Sequence, residues 1–184
     1  MSATATLVPA GTWAIDPSHS VVGFSVKHLG IATVRGTFGA FAGTFEVGDD
    51  IAAGSISATI EAASIDTAEP QRDAHLQSPD FFDAAQFPQI TFRSTAIAAL
   101  GGDRLRVDGE LKMHGVTRPV SLDGEVLGTE TDPWGNERVA FELTGKLSRG
   151  EFGMTFNQAL GSGNLLVSDA VKISLDISAV RQAA

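Results

Sequence analysis

Apolar and polar residues alternate with period two along much of the chain, which marks strands with one dry and one wet face. From Ser55 to Glu61, Ile56, Ala58 and Ile60 point one way and Ser55, Ser57, Thr59 and Glu61 the other. The same split sets Leu105, Val107, Gly109, Leu111 and Met113 against charged neighbours from Arg104 to His114. It also sets Val139, Phe141, Leu143, Gly145 and Leu147 apart within Arg138 to Leu147, and Val171, Ile173, Leu175, Ile177 and Ala179 within Val171 to Val180. Weaker versions cover Val21 to His28, Thr33 to Val47, Gln89 to Ala98 and Pro119 to Leu127, giving eight long segments.

Turn signals separate these segments, among them Leu29-Gly30, Gly48-Asp49-Asp50, Gly101-Gly102-Asp103, His114-Gly115 and Asp132-Pro133-Trp134-Gly135-Asn136. Short connections predict antiparallel hairpins. One stretch departs from the pattern. Near Glu69 to Leu76, Thr67 is placed to cap a short helix with Pro70 in its first turn, and Ser78-Pro79 repeats that signature before Phe81 and Phe82. A helical insert between two strands is expected there.

Eight alternating strands make a sandwich or a closed barrel, and strands of about ten residues favour a barrel about 25 Å tall with room for one ligand. The fold class expected is therefore all-β: an eight-stranded antiparallel barrel with a short helical insert, spanning residues 11–184 as one domain, after a flexible segment 1–10. Small residues on the inner rows, Ala58, Ala96, Gly109, Gly124 and Gly145, are read as leaving volume unfilled. The glycines among them alternatively mark bends in a coiled sheet.

Composition narrows the partners. At 184 residues and 43% hydrophobic the chain builds one sizeable core, and its net charge of -9 opposes nucleic acid and anionic surfaces, which reward clustered Lys and Arg. Without cysteine it has no disulfide and no thiolate metal site. No apolar run approaches the roughly 20 residues of a transmembrane helix. The start of the chain lacks the basic and apolar regions of a secretion signal, so a cytoplasmic setting is expected.

Uncharged inner rows offer hydrophobic contact and little acid–base chemistry. Burial at about 0.8 kcal/mol per methylene gives a chain of roughly 20 carbons about 16 kcal/mol gross, before ordering costs. Residues expected to line the lumen are Phe24, Val26, His28, Phe38, Ile56, Ala58, Ile60, Phe81, Phe82, Phe92, Leu111, Met113, Leu122, Phe141, Leu143 and Phe152. His28 closes the inner row Val22, Phe24, Val26 and is placed near the mouth, where it meets a head group or is a satisfied barrel-end histidine. His19, His28, His75 and His114 lack metal-ligand spacing, and no Gly-x-Ser-x-Gly elbow or phosphate-binding glycine loop occurs, so no cofactor, metal or catalytic residue is called. His75 and Arg149 read as hydrogen-bond hubs, and His114 as exposed.

The residues resemble the YceI-like family of polyisoprenoid-binding proteins over about Gly11 to Val180. The likeness rests on Trp13-Ala14-Ile15-Asp16-Pro17-Ser18-His19-Ser20, Phe24-Ser25-Val26-Lys27-His28-Leu29, Ser64-Ile65-Asp66-Thr67, Arg72-Asp73-Ala74-His75-Leu76, Asp80-Phe81-Phe82-Asp83 and Phe87-Pro88-Gln89-Ile90-Thr91-Phe92. His114-Gly115-Val116-Thr117 and Arg149 before Phe152-Gly153 extend it. It implies a lipocalin-like barrel with an elongated apolar pocket for an isoprenoid or similar chain. Phe87 stands where the family commonly has Tyr, and Glu151 where Asp is common, so one polar contact to a head group is lost.

The function expected is a non-catalytic lipid-binding protein that stores, carries or sequesters an isoprenoid of polyprenyl or quinone type. An enzyme using His28 as general base and a barrel that only displays loops are the alternatives, and a homodimer is compatible with either.

Overall fold

The computed structural model describes residues 7–184. Eleven strands among them form one antiparallel sheet: β1 (Gly11–Ile15), β2 (Val21–His28), β3 (Ala32–Phe38), β4 (Phe41–Val47), β5 (Ser55–Glu61), β6 (Ile65–Asp66), β7 (Gln89–Gly101), β8 (Arg104–Met113), β9 (Val116–Thr131), β10 (Glu137–Ser148) and β11 (Val167–Arg181). Three pairs are halves of bent strands. A short turn at Pro17–His19 separates β1 from β2, Gly39-Ala40 separates β3 from β4, and a turn at Ala62–Ser64 separates β5 from β6. Counted this way there are eight strands, matching the eight alternating segments.

The sheet closes on itself because β11 is long enough to pair twice. Its end meets β1, with Trp13 opposite Arg181 and Ile15 opposite Ala179, and its earlier part meets β2, with Val26 opposite Val171 and Val21 opposite Asp176. Closure leaves no free edge along that seam. Inner rows read from alternation hold: Leu105, Val107, Leu111, Met113, Val139 and Ala179 are buried while their sequence neighbours are exposed or half-buried.

Three expectations are corrected. Ala96 is exposed, because the register of β7 against β8 shifts between Ser94 and Ala96 and hands the inner row to Ile97. The inner glycines do not leave space, since neighbouring side chains fill it: a Cβ on Gly109 would meet Phe92, one on Gly124 would meet Leu143, and one on Gly145 would meet Leu122. Of the lead-in expected to be flexible, residues 1–6 lie outside the described residues, whereas Leu7 and Val8 pack on the core and the Trp13 indole donates to the Pro9 carbonyl.

The barrel ends are closed differently. At one end Trp13 stacks on Phe45, which meets Phe141 edge-on. Beside them Arg138 donates to Asp16 at 2.8 Å and to Asp132 at 2.9 Å, tying the β1–β2 junction to the β9–β10 hairpin. The Asp16 carboxyl is held well below the usual carboxylate range by the Ser18 hydroxyl, then by Arg138 and His19. Asp132 is lowered likewise, chiefly by Arg138.

At the other end the strand order is interrupted between β6 and β7 by helix α1 (Pro70–Gln77) and the turns that follow it. Glu69, not Thr67, caps this helix, accepting from the Gln71 and Arg72 amides, with Pro70 opening the first turn. Thr67 is committed elsewhere: its hydroxyl donates to Asp73 and accepts from the Arg72 guanidinium.

Candidate ligand-binding cavity

Inside the barrel lies a cavity of about 270 Å³. Among the described residues its wall contains two charged ones, Glu46 and Arg149, and no histidine, hydroxyl or amide side chain; the rest are aliphatic, aromatic, methionine or glycine. Of the residues expected in the lumen, Phe24, Val26, Phe38, Ile56, Ala58, Ile60, Phe81, Phe82, Phe92, Leu111, Met113, Leu122, Phe141 and Leu143 line this wall. Several of them, Phe24, Ile56, Ile60, Phe92 and Phe141 included, are only half-buried although they point inward. The lumen is therefore not filled by its own side chains.

Two expected lining residues are elsewhere. His28 does not reach the wall: it ends β2 opposite Ala32 and Val167, and at this level it is Val167, beside the register shift of β11, that lines the cavity. Phe152 is only 1% exposed and packs within the core, in a short turn (Arg149–Phe152) outside the wall.

The helical insert roofs the cavity through Leu76, Phe81 and Phe82. Phe82 meets Phe38 edge-on at 5.7 Å between ring centroids, fixing the insert to β3. Phe81 is clasped more tightly. His75 and Phe156 lie at 5.1 and 5.3 Å from it, and the Arg149 guanidinium sits 5.8 Å from its ring centre. His75 also bonds Asp80 at 2.8 Å.

Arg149 is the polar group closest in character to a ligand contact, yet its nitrogens are largely committed. Nε donates to the Ser168 carbonyl, one terminal nitrogen to Met154 and the other to Val167. No carboxylate bonds it, and burial pushes its pKa below the ordinary arginine value, with Asp169 opposing the shift. A guanidinium spent on three carbonyls holds the Met154–Val167 segment against the barrel, as a hub does.

Sequence reasoning missed Val8, Leu76 and Met154 in the wall, which sit outside any alternating segment. Ile173, Leu175 and Ile177 could have been named, since they lie on the inner row of β11. His114, expected exposed, is half-buried: it bonds the Phe152 carbonyl at 2.9 Å and faces the Phe87 ring.

Residues 13–179 match the YceI-like domain. Protein YceI of Escherichia coli O157:H7 is 41% identical over 138 residues, covering 74% of this chain and 72% of that protein. Protein YceI of Salmonella arizonae is 38% identical over 168 residues, 91% and 84% of the two chains. Among solved structures, Burkholderia cenocepacia BcnA superposes with a TM-score of 0.78 at 25% identity over 89% of this chain and 98% of its own. A polyisoprenoid-binding domain from Saccharophagus degradans implicated in plant cell wall breakdown shares the fold, with a TM-score of 0.67 at 15% identity over 92% and 98%. The matched span runs from Trp13 in β1 through the roofing insert to Ala179 in β11, and the chain belongs to the YceI-like family.

Proposed function

We propose that this protein binds one long apolar chain, of isoprenoid or similar lipid type, inside the barrel and stores, carries or shields it without turning it over. The observation that carries this reading is the cavity wall, whose only charged members are Glu46 and Arg149. Such a wall rewards apolar surface removed from water, at about 25 cal/mol per Å², and offers a reacting group no nucleophile or proton donor beyond those two. The polyisoprenoid-binding domain from Saccharophagus degradans, which has the same fold, supports the isoprenoid class.

We assign no wall side chain to a polar head, since Arg149 is spent on three backbone carbonyls and Glu46 is exposed between the buried Phe45 and Val47 of β4, and His28, outside the wall, is left with a local structural role. Solvent extraction of protein purified from its native host, followed by mass spectrometry, tests the proposal. A copurifying prenyl or acyl compound is expected. Repeated absence of any lipid, with no uptake of a fluorescent prenyl or acyl probe, would overturn it.

A further inference from the structure

The outer face of the barrel carries a second concavity of about 950 Å³ across β9, β10, β11, β2 and β3. Its charge is out of keeping with the rest of an acidic chain. Lys146 on β10 lies directly opposite Lys172 on β11, Lys172 opposite Ser25 on β2, and Ser25 opposite Arg35 on β3. Three cations thus stand in one register row, with about 5 Å between adjacent strands, so the row extends about 15 Å. All three are exposed, and none is in an ion pair among the described residues.

Like charges directly opposite each other in a sheet destabilise it. The floor of the trough is small and hydroxyl-bearing: Gly23, Ser25 and Ser174 leave room between the long cationic side chains, and Ser25, Ser174, Thr37 and Thr144 present hydroxyls there. Its one carboxylate is Asp123, and both of its oxygens are taken by Arg106 at 2.7 and 3.0 Å. One row further along, Lys27 holds the Thr33 hydroxyl at 2.8 Å, so three of the chain's four lysines gather on this face.

We propose that this trough is a second binding site, on the opposite face of the sheet from the lumen, for a soluble compound bearing two or more phosphate groups. Arg35 supplies a planar fork suited to phosphate oxygens, while Lys146 and Lys172 act as adjacent point charges on a neighbouring group. A soluble ligand fits better than a bilayer. The surface is concave, and Val21 is the one exposed large apolar residue on it, whereas a membrane-docking face presents apolar side chains beside its cations.

Calorimetric titration with pyrophosphate and tripolyphosphate tests the site, with Lys146→Gln/Lys172→Gln and Arg35→Gln as variants and Lys112→Gln, on β8 outside the trough, as control. Saturable binding to wild-type protein is expected, weakened about tenfold in the double lysine variant and unchanged by Lys112→Gln. Backbone amide shifts at Ser25, Ser174 and Thr144 should report it. Melting temperature in the double variant should hold or rise, as a repulsive pair is removed. Uptake of a prenyl probe by the lumen should be the same with and without pyrophosphate. Absence of saturation, equal affinity in the double variant, or binding to phosphatidylglycerol vesicles with none to pyrophosphate would each overturn the proposal.

Discussion

The Phe24 ring occupies the space a side chain at Gly36 would need, so that a Cβ there would lie 2.7 Å from Phe24 Cε1. The two residues face each other across β2 and β3, and Phe24 also lines the cavity. Gly36→Ala should drive the ring into the lumen and cost about 1–3 kcal/mol through overpacking. Thermal unfolding together with a prenyl-probe titration checks this: both stability and affinity are expected to fall.

Ala58 separates an open lumen from a packed core. It stands opposite Gly43 on one side and Phe92 on the other, on the cavity wall. In Ala58→Phe the new ring should occupy ligand space, so lipid-free protein keeps its melting temperature while probe binding drops sharply. In a close-packed core the same change would cost about 1–3 kcal/mol. A large stability loss in lipid-free protein would show that no usable cavity exists at this depth.

The two roof phenylalanines should behave differently. Phe82, half-buried against Phe38, is expected to limit exit, so Phe82→Ala should raise the rate of probe release while the fold persists. Phe81, held by His75, Phe156 and Arg149, belongs to the framework, and Phe81→Ala should cost about 3–5 kcal/mol. Stopped-flow release and thermal melts distinguish the two effects. Unchanged release from Phe82→Ala would leave that ring a packing role alone.

The Arg138 clamp has a pH signature. Asp16 and Asp132 are lowered in the folded protein, so their contribution to stability is fully present above the unfolded carboxylate pKa, near 4, and is lost as pH falls from there toward their folded values. Arg138→Gln should therefore lower the melting temperature clearly at pH 6 and less at pH 2, where the lowered carboxylates begin to take up protons. Melts at the two pH values check the sign. An equal loss at both would mean that Arg138 acts through packing of its stem.

Much of the barrel was legible because burial follows strict alternation where a strand is long and unbroken, as in β8, β10 and β11. Where the chain departs from regular pairing the pattern misleads. The shift between Ser94 and Ala96 reverses facing without any change in composition, and the glycines read as empty volume are covered by the Phe92, Leu143 and Leu122 side chains of the neighbouring strands. Leu76 and Met154 reach the cavity from irregular segments, where periodicity carries no facing information. His28 fits the inner row by count, but the register of β11 shifts between Val167 and Val171, and Val167 takes the wall position opposite it through a pairing distant in sequence.

The seam between Trp13 and Arg181 joins the earliest strand to the last one. During synthesis, a chain that lacks β11 is an open, curled sheet with β1, β2 and β10 unpaired along one side and an apolar concave face exposed. Such a sheet is a template for pairing with a neighbour on the same polysome. The nascent barrel stays unsealed until the fifteen residues of Val167–Arg181 emerge, so its exposure to chaperones and to misassembly is set by translation of this strand and not by the stability of the finished barrel.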